Sequence, residues 1–84
     1  MVDTRILHHE TFGWIKTDCQ NLPSGAVVGG MDHKKPLYIA RCEIENDVVV
    51  GKFQPEHGCA YFPHGGREHC KSEVDVLCCF TKHL

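Results

Sequence analysis

Three charged side chains lie next to turn-forming stretches of this 84-residue sequence. Asp32 ends the stretch LPSGAVVGGMD, Lys52 follows a glycine in VVGKFQP, and Glu68 follows GGR. A carboxylate accepts hydrogen bonds and an ammonium group donates them, so such a set could hold the neighbouring hydroxyl groups of a sugar. Turns on a rigid β scaffold often carry ligand-binding groups. The alternative is that all three are solvated turn charges with no ligand.

The glycines of the same stretch could instead cradle a phosphate group. A phosphate-binding loop of the form GxxxxGK[ST] needs a helix N-terminus behind it, which supplies free N–H groups. Lys34 and Lys35 come too late for this motif, and no helical pattern follows them. We therefore expect no nucleotide site. We interpret Gly29 and Gly30 as a place where the chain turns sharply or where another strand approaches closely. In the first case the tight turn presents Asp32.

Metal-ligand residue types are concentrated between residues 57 and 70. The residues are His57, Cys59, His64, His69 and Cys70. Their spacing does not follow the regular pairs of cysteines or histidines that are typical of zinc sites. We expect no metal site and interpret the histidines as surface or strand-flanking residues. A structural zinc site within residues 57–70 is the alternative.

No sequence motif supports catalysis. A cysteine nucleophile needs a histidine base that a third group orients. A glycosidase needs two carboxylates that face each other across a cleft. The composition allows both, but an 84-residue β domain offers little room for a cleft. We predict that the protein is not an enzyme and that it uses no cofactor.

The net charge and the lengths of the apolar runs exclude several classes of partner. Nine basic and eleven acidic residues give a net charge of −2, which does not attract nucleic acid or an acidic membrane surface. No stretch approaches the roughly 20 apolar residues of a membrane span. The start of the chain has an apolar run of only Ile6 and Leu7, whereas a signal peptide needs roughly 7–15 apolar residues. We expect no nucleic-acid partner, no membrane insertion and a cytoplasmic location, with unconventional secretion as the alternative.

Six cysteines are many for so short a chain. In a secreted protein they would suggest three disulfides, whose pairing the sequence does not determine. Because no signal peptide is recognised, reduced thiols are favoured, and most of the cysteines are interpreted as small core residues. Cys78 and Cys79 are adjacent, so in a strand they point to opposite faces and are not expected to bond to each other.

Frequent turn signals between short runs rich in Val, Ile, Tyr and Phe predict an all-β fold, a small antiparallel sandwich or meander. The predicted strands are residues 11–16, 26–29, 37–43, 48–54, 59–62 and 73–80. The clearest hairpin joins 37–43 to 48–54 through a loop that holds Asn46 and Asp47. In the last strand Val74, Val76, Cys78 and Phe80 share one face, which predicts contact with the core. Trp14, the single tryptophan, is predicted to anchor that core.

Five sequence blocks resemble the running pattern of the DM-nine repeat family. The blocks are the tryptophan at position 14, LPSGAVVGGMD, PLYIARCE, VVGKFQPEHGCAYFPHGGRE and SEVDVLC. They occur in the family's order and at near-family spacing, from about residue 14 to residue 78. The chain is therefore identified as a single DM-nine-type repeat that forms one domain over residues 1–84.

Members of this family resemble lectins, and several bind mannose and act in the recognition of microbes. The resemblance implies a non-catalytic, mannose-type carbohydrate-binding module. It places the sugar-contacting acid of the GGxD block on Asp32 and the sugar-contacting lysine of the GK block on Lys52. The expected partners are mannose-containing glycans of microbes or cell surfaces. The alternative is a protein-interaction or structural β domain that has no sugar activity.

The sequence also departs from the family pattern. The turn DHKKP replaces one that usually carries a glycine, and the final strand reads EVDVLC where YEVL is usual. Family proteins usually carry two repeats in tandem, whereas this chain has one. A single repeat has a thin core and leaves strand edges that are liable to pair. We therefore expect two copies to form a two-fold homodimer that completes the fold.

Overall fold

The computed structural model of the chain describes residues 8–83, and it describes the side chains of residues 11–80. Over this range the protein is all-β and antiparallel, which confirms the predicted fold class. Its strands are β1 (His8–Thr17), β2 (Val28–Asp32), β3 (Lys35–Ile44), β4 (Asp47–Gln54), β5 (Cys59–His64), β6 (Arg67–Lys71) and β7 (Val74–His83). A single turn of 3₁₀ helix, Pro55–His57, joins β4 to β5.

The described residues contain no helix that is long and apolar enough to span a bilayer. Ile6 and Leu7, on which the expectation of no signal peptide depends, lie outside the described residues.

The strands form one sheet in the order β1-β7-β3-β4-β5-β6, and β2 pairs with β3 outside this path. β1 and β7 pair over ten positions, from His8 opposite His83 to Thr17 opposite Val74. β7 meets β3 only at Ala40 and Arg41. β1 and β7 therefore make a long ribbon that joins β3 near one end, and residues 25–27 hydrogen-bond to Leu77 and Cys79 just beyond that point.

All six predicted strands have a counterpart and most are longer than predicted, but the strand predicted at residues 26–29 overlaps β2 only at positions 28 and 29. The sequence missed β6, because its residues REHCK include no β-branched or aromatic side chain of the kind that favours a strand. β6 forms instead through its hairpin with β5, which pairs from Ala60–Lys71 to His64–Arg67. Gly65 and Gly66 form the turn, with φ angles of 62° and 75° that suit glycine.

The predicted hairpin between β3 and β4 is confirmed, but its turn lies one residue earlier than expected. Glu45 and Asn46 form the turn with φ angles of 50° and 70°, whereas Asp47 already pairs with Ile44 inside the ladder. Two-residue turns with positive φ match the right-handed twist of the strands that they join. The hairpin therefore keeps its turn geometry with residues other than glycine.

Asp32 is presented by a hairpin turn and not by the glycines before it. Gly29 and Gly30 lie inside β2, so the prediction that they form a sharp turn is wrong. The turn consists of His33 and Lys34, whose φ angles are 49° and 67°. The prediction of a close approach at the glycines is correct, because a Cβ at position 29 would overlap the Ile39 side chain.

The core lies on one face of the sheet. Phe53, Phe62 and Val76 are the largest of its fully buried aromatic and aliphatic side chains. Val74 and Cys78 join Val76 in this cluster, which confirms the predicted alternation of the last strand. These positions alternate with residues that point to the opposite face, as the pleat of a strand requires.

Trp14 does not anchor the core, so that prediction is wrong. Trp14 pairs with Leu77, which points away from the face that carries Val76 and Cys78. The guanidinium carbon of Arg41 lies 4.4 Å from the centre of the tryptophan ring. The ring is half-buried on the outer face and makes a cation–π contact there.

Cys59 and Cys70 form a disulfide whose Cα atoms lie 5.9 Å apart. The expectation of reduced thiols is wrong for this pair, which spacing alone did not identify. Cys19 and Cys78 are free and fully buried, as expected for small core residues. Because the disulfide joins β5 to β6, it stabilises the hairpin that has the weakest strand propensity of its own.

We predict that the double substitution Cys59→Ala/Cys70→Ala lowers the free energy of unfolding by about 3 kcal/mol, because it releases the loop between two residues that lie 11 positions apart. Denaturant unfolding of the parent and the double variant measures this change. A reductant should destabilise the parent by a similar amount and leave the variant unaffected. Equal stability of the parent and the variant under oxidising conditions would contradict the prediction.

Candidate functional site

A pocket of about 690 Å³ lies on the face of the sheet opposite the core. The strand register determines which side chains reach it, since directly paired residues of antiparallel strands point to the same face. Lys52 pairs with Ile39 on one side and with Tyr61 on the other. These three side chains therefore share the pocket face. Phe53 and Phe62, one position along each strand, point into the core.

Asp32 and Lys52, the two site residues predicted from the sequence, both line this pocket. Asp32 lies at the end of β2 and Lys52 lies within β4, and the two strands flank the same strand, β3. The Asp32 side chain keeps 47% of its surface exposed, and its Oδ1 lies 3.5 Å from Nε2 of the almost fully exposed His33. Both the carboxylate and the ammonium group are therefore open to a ligand in the pocket. That they bind one stays a prediction.

Tyr61 contributes an aromatic ring beside the lysine. It is the direct register partner of Lys52 and is half-buried in the pocket wall. The ring of His57 meets it nearly edge to face, with ring centres 5.7 Å apart. Sequence analysis did not select Tyr61. The usable signal was that its block, CAYF, directly follows the lysine-containing block and can pair with it in an antiparallel sheet.

The hairpin of β5 and β6 forms the other end of the pocket. Glu68, the third turn charge of the sequence, lines this end together with Arg67 and His64. The His64 side chain is 19% exposed, and its Nε2 lies 3.0 Å from Oδ2 of Asp47. The ring of His69 is fixed by a hydrogen bond of 3.1 Å to the His64 carbonyl oxygen. The three turn charges thus line a single pocket.

The histidines and cysteines of residues 57–70 do not assemble into a metal site. Among the side chains that the structure describes, no three His, Cys, Asp or Glu residues come close enough together to hold an ion. Cys59 and Cys70 are joined to each other. The rings of His64 and His69 pack against each other with centres 6.0 Å apart. The geometry therefore gives the zinc alternative no support.

Burial raises the pKa values of the thiols of Cys19, Cys42 and Cys78. For Cys19 the desolvation outweighs a hydrogen bond from the backbone of Ala60, which acts in the opposite direction. A nucleophilic cysteine needs a lowered pKa, because the thiolate is the reactive form. These three thiols are shifted away from reactivity.

The raised thiol pKa values predict how stability depends on pH. The fold favours the neutral thiol, so its contribution is complete below the ordinary value of 9.0 and is lost as the pH rises through the higher folded-state pKa. We expect the free energy of unfolding to decline above about pH 9. The decline should be shallower in the double variant Cys19→Ala/Cys78→Ala.

Urea unfolding at several pH values measures both slopes. A matched core variant without a thiol change, Val76→Ala, should lose stability by the same amount at every pH. The prediction is wrong if the double variant and the parent decline equally steeply.

Comparison with known families identifies the class of this protein. The family model of the DM9 repeat matches residues 3–71 and, in a second and overlapping match, residues 32–83. The chain therefore belongs to the DM9 repeat family, which is known as a carbohydrate-binding module. Both matches include Asp32 and Lys52. A search of curated proteins found no match to the chain.

Proposed function

We propose that this DM9 repeat is a non-catalytic lectin module that binds mannose-type sugars in the pocket between β2 and β6. One observation carries the proposal: Asp32 and Lys52, which the family resemblance implies as sugar contacts, line one pocket on the open face of the sheet. Sugar residues on microbial or cell-surface glycans are the ligands that fit this chemistry best.

The pocket offers the three kinds of contact that a hexose needs. The Asp32 carboxylate can accept hydrogen bonds from two neighbouring hydroxyl groups, and the Lys52 ammonium group can donate to a third oxygen. β2 and β4 flank β3 and lie about 10 Å apart, and Asp32 lies opposite Lys35 whereas Lys52 lies opposite Ile39, about 13 Å further along the strand. The two backbone positions are therefore about 16 Å apart on a flat sheet, which the two side chains and one sugar ring can span. The face of the Tyr61 ring, which is negative, can pack against the weakly positive C–H groups of the sugar.

The proposed lectin module does not catalyse a reaction and needs no metal ion. The buried thiols are shifted away from nucleophilic character. The pocket offers opposite charges at Asp32 and Lys52, which suits the binding of a neutral polyol more than acid–base catalysis on it. We expect a chelator to leave the binding unchanged.

Titration calorimetry with mannose and with mannan tests the proposal. Asp32→Asn and Lys52→Met should each weaken mannose binding by about tenfold or more, the effect of losing one hydrogen bond to a charged group. The matched controls are Glu45→Gln and Lys16→Met, which remove an acid and a lysine outside the pocket. Both controls should bind like the parent. Melting curves should show that all four variants remain folded.

Two results would contradict the proposal in different ways. Unchanged binding by folded Asp32→Asn would mean that the sugar binds elsewhere. No heat with mannose or mannan from the folded parent would favour a protein-interaction or structural β domain.

We also propose that two copies of the chain associate through β1. Within residues 8–83, β1 pairs only with β7, so its other edge has no partner strand. Phe12 lies on this strand with 59% of its surface exposed. A second copy would cover this edge and the Phe12 side chain.

Light scattering at tens of micromolar protein should therefore give about 19 kDa, twice the chain mass of 9.5 kDa. Phe12→Lys should shift the protein towards the monomer, because it puts a charge into the paired surface. Thr11→Lys adds the same charge at the neighbouring position, which points to the opposite face of β1. It should shift the equilibrium less. A monodisperse parent monomer would contradict the proposal.

A further inference from the structure

The pocket contains a second acid besides Asp32. Glu68 lines its far end, on the hairpin of β5 and β6, and it pairs with Pro63 on the pocket face. The segment GGRE at residues 65–68 repeats the pattern of GGMD at residues 29–32: two glycines, any residue and an acid. The two acids of this repeated pattern therefore reach one pocket from two different strands.

The strand order separates the two acids by more than one sugar ring. β3, β4 and β5 lie between β2 and β6, so the outer two are four inter-strand spacings apart, about 19 Å on a flat sheet. Lys52 lies on β4, midway between them. A ring that contacts both Asp32 and Lys52 occupies the first half of this span. The second half, with Glu68, is open to another unit.

The volume of the pocket agrees with this spacing. A hexose fills about 180 Å³ if it occupies the space of six water molecules in the liquid. The pocket of about 690 Å³ is more than three times as large. Glu68 is exposed, and none of the ion pairs among side chains 11–80 uses it. Its carboxylate is therefore open to a ligand.

The hairpin that carries Glu68 is held in place from several sides. The disulfide of Cys59 and Cys70 joins its two strands. His69 binds the carbonyl oxygen of His64, and the ring of His64 contacts Asp47 at the start of β4. A binding group on a fixed hairpin loses little conformational freedom when a ligand binds.

We propose that Glu68 forms a second sugar subsite, so that the pocket takes two or more linked sugar units. Its carboxylate accepts hydrogen bonds from the hydroxyl groups of the second unit. The neighbouring Arg67 pairs with His64, so its side chain points to the other face of β6 and takes no part. This inference rests on the proposed function, since it extends the same site.

Titration calorimetry with methyl α-mannoside and with a linear mannotriose tests the second subsite. The parent should bind the trisaccharide at least about tenfold more tightly than the monosaccharide, which exceeds the roughly threefold gain expected from three equivalent units. Glu68→Gln should remove most of this gain and leave the affinity for methyl α-mannoside unchanged, whereas Arg67→Met, on the other face of β6, should behave like the parent. The control Glu45→Gln, outside the pocket, should behave like the parent.

The outcomes separate this inference from the proposed function. A trisaccharide gain of threefold or less in the parent overturns the second subsite, and so does an equal loss of both affinities in folded Glu68→Gln. In either case the first site survives if Asp32→Asn weakens both ligands. If Asp32→Asn changes neither affinity, the first site is misplaced. If the folded parent binds neither sugar, both proposals fail.

Discussion

The register of β4 against its neighbours is the constraint on which the two faces of this sheet depend. Phe53 and Phe62 must point into the core, so Lys52 and Tyr61, their neighbours along each strand, must point to the pocket. Slipping the register by one residue would bury the lysine and expose a phenylalanine. Gly51 helps to hold this arrangement, because a Cβ there would overlap both the backbone of β5 and the Phe62 ring. Core packing thereby positions the binding face.

Much of the fold follows from local sequence signals, and the exceptions have physical causes. Alternation in β7 identified its buried face, since only one face of that strand meets the core. β6 escaped prediction because its polar sequence carries no strand signal of its own, and its pairing with β5 across a glycine turn is not local to it. The position of Trp14 depended on the pairing of β1 with β7, and no local pattern in β1 determines that register.

The sequence predicts which charged residues belong to the site, but it does not predict that they meet in one pocket. The turn-forming stretches next to them pointed to Asp32, Lys52 and Glu68. The family resemblance then implied that the first two contact the sugar. Their meeting in one pocket requires the strand order, which brings together residues far apart in sequence. The disulfide was equally non-local, because Cys59 and Cys70 become neighbours only when β5 and β6 pair. A cytoplasmic location stays a prediction, and in a reducing cytosol this disulfide would open.

The central claim is that the open face of the sheet, at Asp32 and Lys52, is the sugar-binding surface of this DM9 repeat. The most direct test is a titration of ¹⁵N-labelled protein with mannose, followed by NMR. We predict that the amide signals that shift cluster along the ends of β2 and β4 and around Tyr61. Shifts confined to the surroundings of Trp14 and Arg41, outside the pocket, or no shifts at saturating mannose, would contradict the account.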